Sequence, residues 1–292
     1  MLFLYTSGIV VIGGLSFGDT CRRVVQLYDT TTGRWSWLPE LNVGREACPG
    51  AVVVQRIHGH RIYVFGGRGD KGVLGSCEVL DVDDGQWSLI ESTMDSPRSN
   101  TCAVLLDHDT VVICGGFTRD GGFGKTASCE RFDLTCHTFS SFPGMMHARS
   151  RHAAVHYNGT VVVMGGHEEG RSQITCEQFD PDLLKWIPFP SLTKIRDTVN
   201  SRAAIGAAVV GGMIYAAGYD IHIEIYDGSA WNVMAPSFMC RFFASVVACD
   251  GKVVVLGGFL HKIDAYDPST HSISIFSGEN PGASRHMVVV SY

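Results

Sequence analysis

The chain has 292 residues, of which 45% are hydrophobic and 18% are charged, and its formal net charge is -6 with a pI near 6.0. This acidic balance argues against nucleic acid as a partner, and no run reaches the roughly 18 apolar residues of a membrane-spanning helix. The ten cysteines include no CxxC pair and no secretory signal precedes them, which predicts reduced thiols, a cytoplasmic protein and no zinc site.

A glycine doublet recurs along the chain, each time after a short aliphatic run. Counted between second glycines, the copies lie 53, 49, 50, 52 and 40 residues apart. In chain order the runs with their glycines are 10–14, 63–67, 112–116, 162–166, 214–218 and 254–258, and the fifth of them keeps only one glycine. Six copies at this period predict a repeat architecture.

Three further features recur in a fixed order within each repeat. A Tyr, Phe or Leu followed by Asp comes first, at 28–29, 80–81, 132–133, 179–180, 226–227 and 266–267. A large apolar residue follows five or seven positions after that aromatic or Leu, as Trp35, Trp87, Phe139, Trp186, Trp231 and Ile273. An Arg precedes the next aliphatic run, as Arg45, Arg98, Arg149, Arg202, Arg241 and Arg285. This ordered set resembles the kelch repeat, and the resemblance covers essentially the whole chain.

Each repeat also contains four short strand-like runs separated by turn-forming residues. In the fourth repeat, Asn158-Gly159 between the first two runs is a strong signal for a tight hairpin. Four antiparallel strands per repeat, without a stretch of period 3.6, predict an all-β fold, the six-bladed β-propeller. We expect a single propeller domain over 1–292, with blade cores near 8–37, 48–90, 101–142, 151–189, 203–233 and 243–276 and a closing strand at 285–292.

Two residue types within the repeat are assigned to packing. The Trp or Phe of the outer strand is expected to lie between neighbouring blades, because large aromatic side chains contribute most by burial. Cys77, Cys129 and Cys176 share one repeat position at which the other repeats carry Val or Ile. Each of these cysteines is therefore interpreted as a small buried hydrophobe.

Two segments compete for the innermost strand of the first blade. The C-terminal stretch 285–292 has the sequence pattern of 151–157, and the chain after Ser7-Gly8 continues as the fourth repeat does after its hairpin. C-terminal closure of the ring is favoured, because Arg285 supplies the repeat register and the pairing removes a free strand edge. The alternative is that 1–5 forms this strand.

The loops are the part of the scaffold where recognition is expected. From the doublet to the next aromatic or Leu before Asp the spacings are 14, 13, 16, 13, 8 and 8, so the first four blades carry extended loops. The repeated Arg residues are expected near the channel mouth on the same face. The candidate partner-binding residues are therefore Arg45, Arg98, Arg149, Arg151, Arg202, Arg241, Arg285, Arg68, Arg119 and His167.

Two interpretations of the repeated Arg residues remain open. In the first they bind acidic segments of a partner, since a guanidinium group pairs with a carboxylate in a bidentate way. In the second, which is favoured for any single Arg, each one bonds to neighbouring loop carbonyls and holds its own blade. Arg149 and Arg151, with His147 and His152 nearby, form the richest local cluster.

The resemblance to kelch proteins implies a protein-binding module without a cofactor or a metal. Proteins of this family recruit substrates for ubiquitin ligases or act as actin-linked scaffolds, and here such an assembly would need a separate subunit, because repeats fill the chain. The alternative is a sugar-acid-binding enzyme, similar to the kelch epimerases that act on sialic acid. The copper and iron ligand sets of other kelch enzymes find no matching spacing in this sequence.

Overall fold

The computed structural model describes residues 8–14, 23–47, 49–56, 59–119, 124–168, 171–193, 204–218, 222–234, 244–257, 263–277 and 288–291. Every regular element in these ranges is a β-strand. The strands form six four-stranded antiparallel sheets and two short ribbons, which confirms the predicted six-bladed propeller. Among the described residues, no helix is long and apolar enough to cross a membrane.

The strands of the first three blades occur in chain order, except that the innermost strand of blade one comes from the C-terminal end of the sequence. Blade one has the sheet order β28 (Val288–Ser291), β1 (Gly8–Ile12), β2 (Val25–Asp29), β3 (Arg34–Leu38). Blade two consists of β4 (Gly50–Arg56), β5 (Gly59–Phe65), β8 (Cys77–Asp81) and β9 (Gln86–Leu89), with the ribbon β6 (Arg68–Gly69) and β7 (Gly72–Val73) in its loop. Blade three consists of β10 (Cys102–Leu105), β11 (Thr110–Cys114), β12 (Cys129–Asp133) and β13 (Thr138–Phe142).

The last three blades repeat the same order from the innermost to the outermost strand. Blade four consists of β14 (Ala153–Tyr157), β15 (Thr160–Met164), β18 (Cys176–Asp180) and β19 (Lys185–Phe189), with the ribbon β16 (His167–Glu168) and β17 (Arg171–Ser172) in its loop. Blade five consists of β20 (Gly206–Val210), β21 (Met213–Ala217), β22 (Ile223–Tyr226) and β23 (Trp231–Val233). Blade six consists of β24 (Ala244–Cys249), β25 (Lys252–Gly257), β26 (Ile263–Asp267) and β27 (Ser272–Ser277).

The pairing of β28 with β1 closes the ring. Val290 lies opposite Val10 in this antiparallel pair. The side chain of Val290 joins the apolar cluster shared with blade two, whereas that of Val289 joins the cluster shared with blade six. C-terminal closure is therefore confirmed, and residues 1–5, the alternative source of this strand, lie outside the described residues.

The outer-strand aromatic residues pack between blades, as predicted. Trp186 of blade four is 5% exposed and contacts a cluster that includes Val112 and Cys114 of blade three. Its indole N–H donates to the carbonyl of Pro143, 2.8 Å away, in the segment that joins the two blades. The indole groups of Trp87 and Trp231 donate to proline carbonyls in the same way. Each of these Trp residues therefore fixes one blade to the preceding connection.

The glycine doublets mark the points where the second strand leaves the core. Gly66 and Gly67 have φ values of 63° and 93°, in the left-handed region that favours glycine. A side chain on Gly66 would collide with the carbonyl oxygen of Arg98, and a Cβ on Gly67 would lie 3.0 Å from the carbonyl oxygen of Glu46. Both the backbone conformation and the close approach of the connections before blades two and three thus require glycine here.

Candidate functional site

Three of the repeated Arg residues lie inside the blades. Arg45, Arg98 and Arg149 are each 0% exposed, so they present no surface to a partner. This corrects the expectation that these three line the channel mouth as partner-binding residues. The alternative interpretation, in which each Arg holds its own blade, agrees with their position.

Arg149 shows how these buried guanidinium groups are used. Its Nη1 donates to the carbonyls of Gly165 at 2.8 Å and Thr175 at 2.7 Å, which end the second strand and precede the third strand of blade four. Its Nη2 donates to Oε1 of Glu177 at 2.7 Å. Arg45 and Arg98 make the equivalent bonds in blades two and three, to Gly66 and Gly115 and to Glu78 and Glu130.

The carboxylate partners of these Arg residues were missed by sequence reasoning. Glu177 accepts hydrogen bonds from the backbone N–H groups of Met146 and His147 as well as from Arg149. It thereby ties the connection between blades three and four to the third strand. The signal was present in the sequence, because a Glu follows each of the three cysteines at the shared repeat position.

The fifth blade keeps the carboxylate, and its sequence offers two candidates for the Arg. Glu224 accepts a hydrogen bond from the backbone N–H of Thr193 at 2.7 Å, as Glu177 does from Met146. The Arg stands three residues after this N–H donor in blade four, and the same spacing in blade five leads to Arg196. The distance to the following strand points instead to Arg202. Both Arg196 and Arg202 lie outside the described residues.

A chain of backbone hydrogen bonds links the blades beside the channel. The N–H of Asn100 donates to the carbonyl of Ala47, the N–H of Arg151 to that of Asn100, and the N–H of Ile205 to that of Arg151. Ala47, Asn100 and Arg151 have φ values of 57°, 51° and 55°. Non-glycine residues in this left-handed conformation are uncommon and cluster at functional sites. The backbone of Arg151 is therefore fixed from both neighbouring blades.

Among the predicted Arg residues that the structure describes, Arg151 is the one that lines the channel cavity. It is partly buried and lies with its guanidinium carbon 5.7 Å from the ring centroid of Phe117. The ammonium nitrogen of Lys125 is 6.0 Å from the same ring. Both distances fall in the range of cation–π interactions. We call Arg151, Phe117 and Lys125 the mouth cluster.

The remaining predicted residues divide between the surface and the interior. Arg68 begins the loop ribbon of blade two, has a side chain that is 50% exposed and forms an ion pair of 3.3 Å with Glu46. Arg119 is exposed in the loop of blade three. His167 is only 7% exposed, and its backbone pairs with that of Ser150. Arg202, Arg241 and Arg285 lie outside the described residues.

Position by position, the mouth of the channel is built from equivalent residues. In blades two, three and four, the first residue after the doublet forms an isolated bridge with the residue after the buried Arg, which gives the pairs Glu46 with Arg68, Ser99 with Phe117, and Ser150 with His167. These three blades thus place equivalent residues at one level of the mouth. In blade three the residue after the doublet carries the aromatic ring that Arg151 and Lys125 contact.

Below the mouth, the innermost strands enclose a cavity of about 170 Å³. Small and apolar residues dominate its described lining, which also includes Asn100, Cys102, Arg151 and His152. His152 is 3% exposed, and both of its ring nitrogens lack a hydrogen-bond partner among the described residues. Burial, together with the charges of Arg149 and Arg98, lowers the pKa of His152 to about 3. The imidazole is therefore neutral near pH 7 and adds no charge to the mouth.

The described part of the chain offers no cluster of three or more His, Cys, Asp or Glu residues arranged to hold a metal ion. The chemistry of the mouth is instead that of cations beside an aromatic ring. The ring of Phe117 is only 5% exposed, so it holds the cations in place, and the guanidinium group can bind carboxylates.

Comparison with known proteins identifies the repeat. A family model described as the KLHDC2/KLHL20/DRC7 Kelch-repeats domain matches residues 2–218. The chain belongs to the kelch-repeat family. The solved structure titled "Structure of YjhT" superposes with a TM-score of 0.73 over 91% of this chain and 96% of that one. At 10% sequence identity, this similarity concerns the fold.

Curated kelch proteins are similar to parts of the chain. Kelch-like protein 35 of Mus musculus is 24% identical over 217 residues, which are 72% of this chain and 36% of that protein. Kelch-like protein 23 of Homo sapiens is 30% identical over 132 residues, which are 43% of this chain and 22% of that protein. Beta-scruin of Limulus polyphemus is 27% identical over 162 residues, or 51% and 18%. The chain thus spans about a third or less of the length of these relatives.

Proposed function

We propose that this kelch propeller is a protein-interaction module that binds an acidic segment of a partner protein at the channel mouth of blades two to four. The observation that carries the proposal is the mouth cluster, in which two cationic groups lie within 6.0 Å of one phenyl ring centroid. A guanidinium group suits bidentate recognition of a carboxylate, and the buried ring of Phe117 beside it fixes its position.

The backbone around Arg151 supports a recognition role. Its N–H and carbonyl groups bond to Asn100 and Ile205, so the residue is held by two other blades while its side chain faces the mouth. A fixed backbone reduces the conformational entropy that binding would otherwise cost. Arg119 is a further exposed cation on the loop of blade three, whereas Arg68 on the loop of blade two is paired with Glu46.

The named relatives suggest the kind of assembly in which such a module acts. They include proteins called Kelch-like, an F-box/kelch-repeat protein of Arabidopsis thaliana and beta-scruin. We propose that a ubiquitin-ligase or cytoskeletal assembly is the setting, reached through a segment or subunit other than the propeller described above. Binding of the acidic segment would then be the contribution of this chain.

A sugar-acid enzyme is less well supported. The channel cavity, at about 170 Å³, is smaller than the roughly 300–1,000 Å³ of typical small-molecule sites. Its described lining also contains no Asp or Glu to act as a general base. The mouth above it is open and cationic, which fits a peptide segment better than an enclosed substrate.

The test compares peptide binding by the native protein with binding by Arg151→Asn. Asn is the residue at the equivalent position of blade three, Asn100, where it adopts the same left-handed conformation, so the variant removes the charge without straining the backbone. A matched control is Arg131→Gln, because Arg131 is 47% exposed on β12 and does not line the cavity.

Fluorescence polarisation with a library of labelled Asp- and Glu-rich peptides, and their Lys-rich counterparts, measures the affinities. We expect acidic peptides to bind selectively, and Arg151→Asn to weaken them by about tenfold or more, equivalent to at least about 1.4 kcal/mol. Raising the ionic strength from about 0.05 M to about 0.5 M should weaken them further. Equal binding by both peptide types, or equal losses in Arg151→Asn and Arg131→Gln, would contradict the proposal.

A further inference from the structure

Blade three contains a row of three cysteines on neighbouring strands. Cys102 on β10 lies directly opposite Cys114 on β11, and Cys114 lies directly opposite Cys129 on β12. Residues directly opposite in an antiparallel sheet point to the same face. The three side chains therefore stand side by side at the channel-mouth end of the blade.

This row is particular to blade three among the rows that the structure describes. The equivalent residues of blade four are Ala153, Met164 and Cys176. In blade two the first two are Gly50 and Phe65, followed by a single Cys. Blades two and four thus carry a lone buried thiol at the third position, whereas blade three adds two more beside it.

The geometry of the pair Cys102 and Cys114 is compatible with a disulfide bond. Directly opposed residues of an antiparallel pair have Cα atoms roughly 4.5–5.5 Å apart. Disulfides span Cα separations of about 4.4–6.8 Å, so the backbone requires little adjustment. All three cysteines are free thiols in the structure.

The row connects the channel with the interior of the blade. Cys102 is partly exposed and lines the channel cavity, whereas Cys114 and Cys129 are 0% and 3% exposed. Hydrogen bonding to Cys129 and burial raise the pKa of the Cys114 thiol well above its usual range. A small oxidant entering the cavity therefore meets Cys102 first, and Cys114 is the thiol next to it.

We propose that Cys102 and Cys114 form a redox modification site, in which a peroxide that enters the channel converts the two thiols into a reversible cross-strand disulfide. The thiolate sulfur of Cys102 attacks the peroxide, and the O–O bond breaks to give a sulfenic acid and one water. The sulfur of Cys114 then attacks the Cys102 sulfur, and the S–O bond breaks to release a second water. In total two thiols are oxidised, their two protons end in water, and hydrogen peroxide is reduced to two waters.

Oxidation would change contacts next to the mouth cluster. The thiol of Cys102 donates to the carbonyl of His152 at 2.9 Å, the residue after Arg151. The disulfide has no S–H and must give up this hydrogen bond between blades three and four. Because Cys102 must first break this hydrogen bond, we expect Cys102 to be oxidised more slowly than Cys136, which is exposed on the surface.

The sequence makes the product easy to recognise. Trypsin is expected to cut after Arg98 and Arg119, which places Cys102 and Cys114 in one peptide without another cysteine. Cys129 falls in the separate peptide 126–131. The native protein is treated with hydrogen peroxide, alkylated without reductant, digested and measured by mass spectrometry.

We expect peptide 99–119 to lose two hydrogens, to escape alkylation and to become alkylated again after treatment with dithiothreitol. Cys102→Ala, which copies Ala153 of blade four, and Cys114→Val should each abolish this product. Cys176→Val, at the repeat position of Cys129 in a row without a second thiol, should leave it unchanged.

Three results would overturn the proposal. The first is a cross-link between peptides 99–119 and 126–131 in place of the internal disulfide. The second is further oxidation of Cys102 to its sulfinic or sulfonic acid without a bond to Cys114. The third is persistence of both thiols after exposure to hydrogen peroxide several times longer than Cys136 needs for full oxidation.

Discussion

Buried Arg–Glu pairs recur in blades two, three and four, each inside the blade that follows the Arg. The pair of Arg149 and Glu177 has side chains that are 0% and 1% exposed, and its atoms approach to 2.7 Å. Two desolvated charges are tolerated because every face of the carboxylate and guanidinium groups finds a hydrogen-bond partner. The backbone groups that they bond belong to the loops that present the mouth cluster. These pairs therefore hold the loops of the mouth cluster from below.

The first prediction concerns Arg149→Ala. This change should lower the free energy of unfolding by about 3–5 kcal/mol, because it leaves the Glu177 carboxylate buried without its charge partner. Denaturant unfolding followed by tryptophan fluorescence measures the difference. Arg131→Ala, which removes an exposed Arg from the same fold, should change it by less than about 0.5 kcal/mol. A loss of similar size in both variants would show that the buried pair of Arg149 with Glu177 does not stabilise the blade.

The Arg residues also show which properties of single residues can be predicted from the sequence. Their recurrence was visible, and so were two roles for them, but periodicity cannot distinguish a side chain that turns inward from one that faces solvent. The deciding partner, Glu177, lies 28 residues away from Arg149 in the chain. Arg151, two residues after Arg149, reaches the mouth because its left-handed backbone redirects it, and nothing in its residue type announces that conformation.

At the scale of the strands, the pattern of apolar runs and turn residues was sufficient for most of the fold. The hairpin at Asn158-Gly159 forms as predicted, with φ values of 49° and 80° at the two turn residues. The loop ribbons β6–β7 and β16–β17 were not predicted. Each of their strands has only two residues, and the first one bridges to a segment before the innermost strand, as Arg68 does to Glu46. Such pairing depends on tertiary contacts and leaves no periodic signal.

The outer strands provide a second prediction, because two of their Trp residues differ in position. Trp186→Ala should destabilise the protein by about 3–5 kcal/mol, since it opens a cavity between blades three and four and removes the bond to Pro143. Trp37→Ala serves as the control, because Trp37 lies on the edge strand β3 and is 63% exposed. Its cost should stay within about 0.5 kcal/mol.

Unfolding free energies of the two variants, measured under the same conditions, show whether the Trp between the blades contributes more to stability than the exposed Trp. A cost below about 1 kcal/mol for Trp186→Ala would mean that blade packing does not depend on this side chain. Trp186→Phe gives a further check. Phenylalanine retains most of the apolar contact but lacks the N–H donor, so its cost should lie between those of the two alanine variants.

At the scale of the whole molecule, closure of the ring predicts that the chain ends can be moved to another blade without loss of the fold. The pair β28–β1 stands in blade one as the pair β14–β15 stands in blade four, antiparallel and innermost. In blade four a two-residue hairpin joins the strands, whereas in blade one residues 292 and 1–7 lie between them in the circular order. A closed sheet arrangement has no free edge at either place.

A circular permutant tests this equivalence. New ends between Asn158 and Gly159, with residue 292 joined directly to residue 1, move the break from blade one to blade four. Gly159 has open space around it, so the cut removes no packing contact there. We expect the permutant to fold with a melting temperature within a few degrees of the native protein, because only a loop-closure term changes.

A control permutant is cut between Val112 and Ile113, inside the fully buried strand β11, and should fail to fold, because that break destroys a strand on which two neighbours pair. If the permutant cut at the Asn158 hairpin also failed, the covalent connection through that hairpin, and not only the pairing of the innermost strands, would be required for folding.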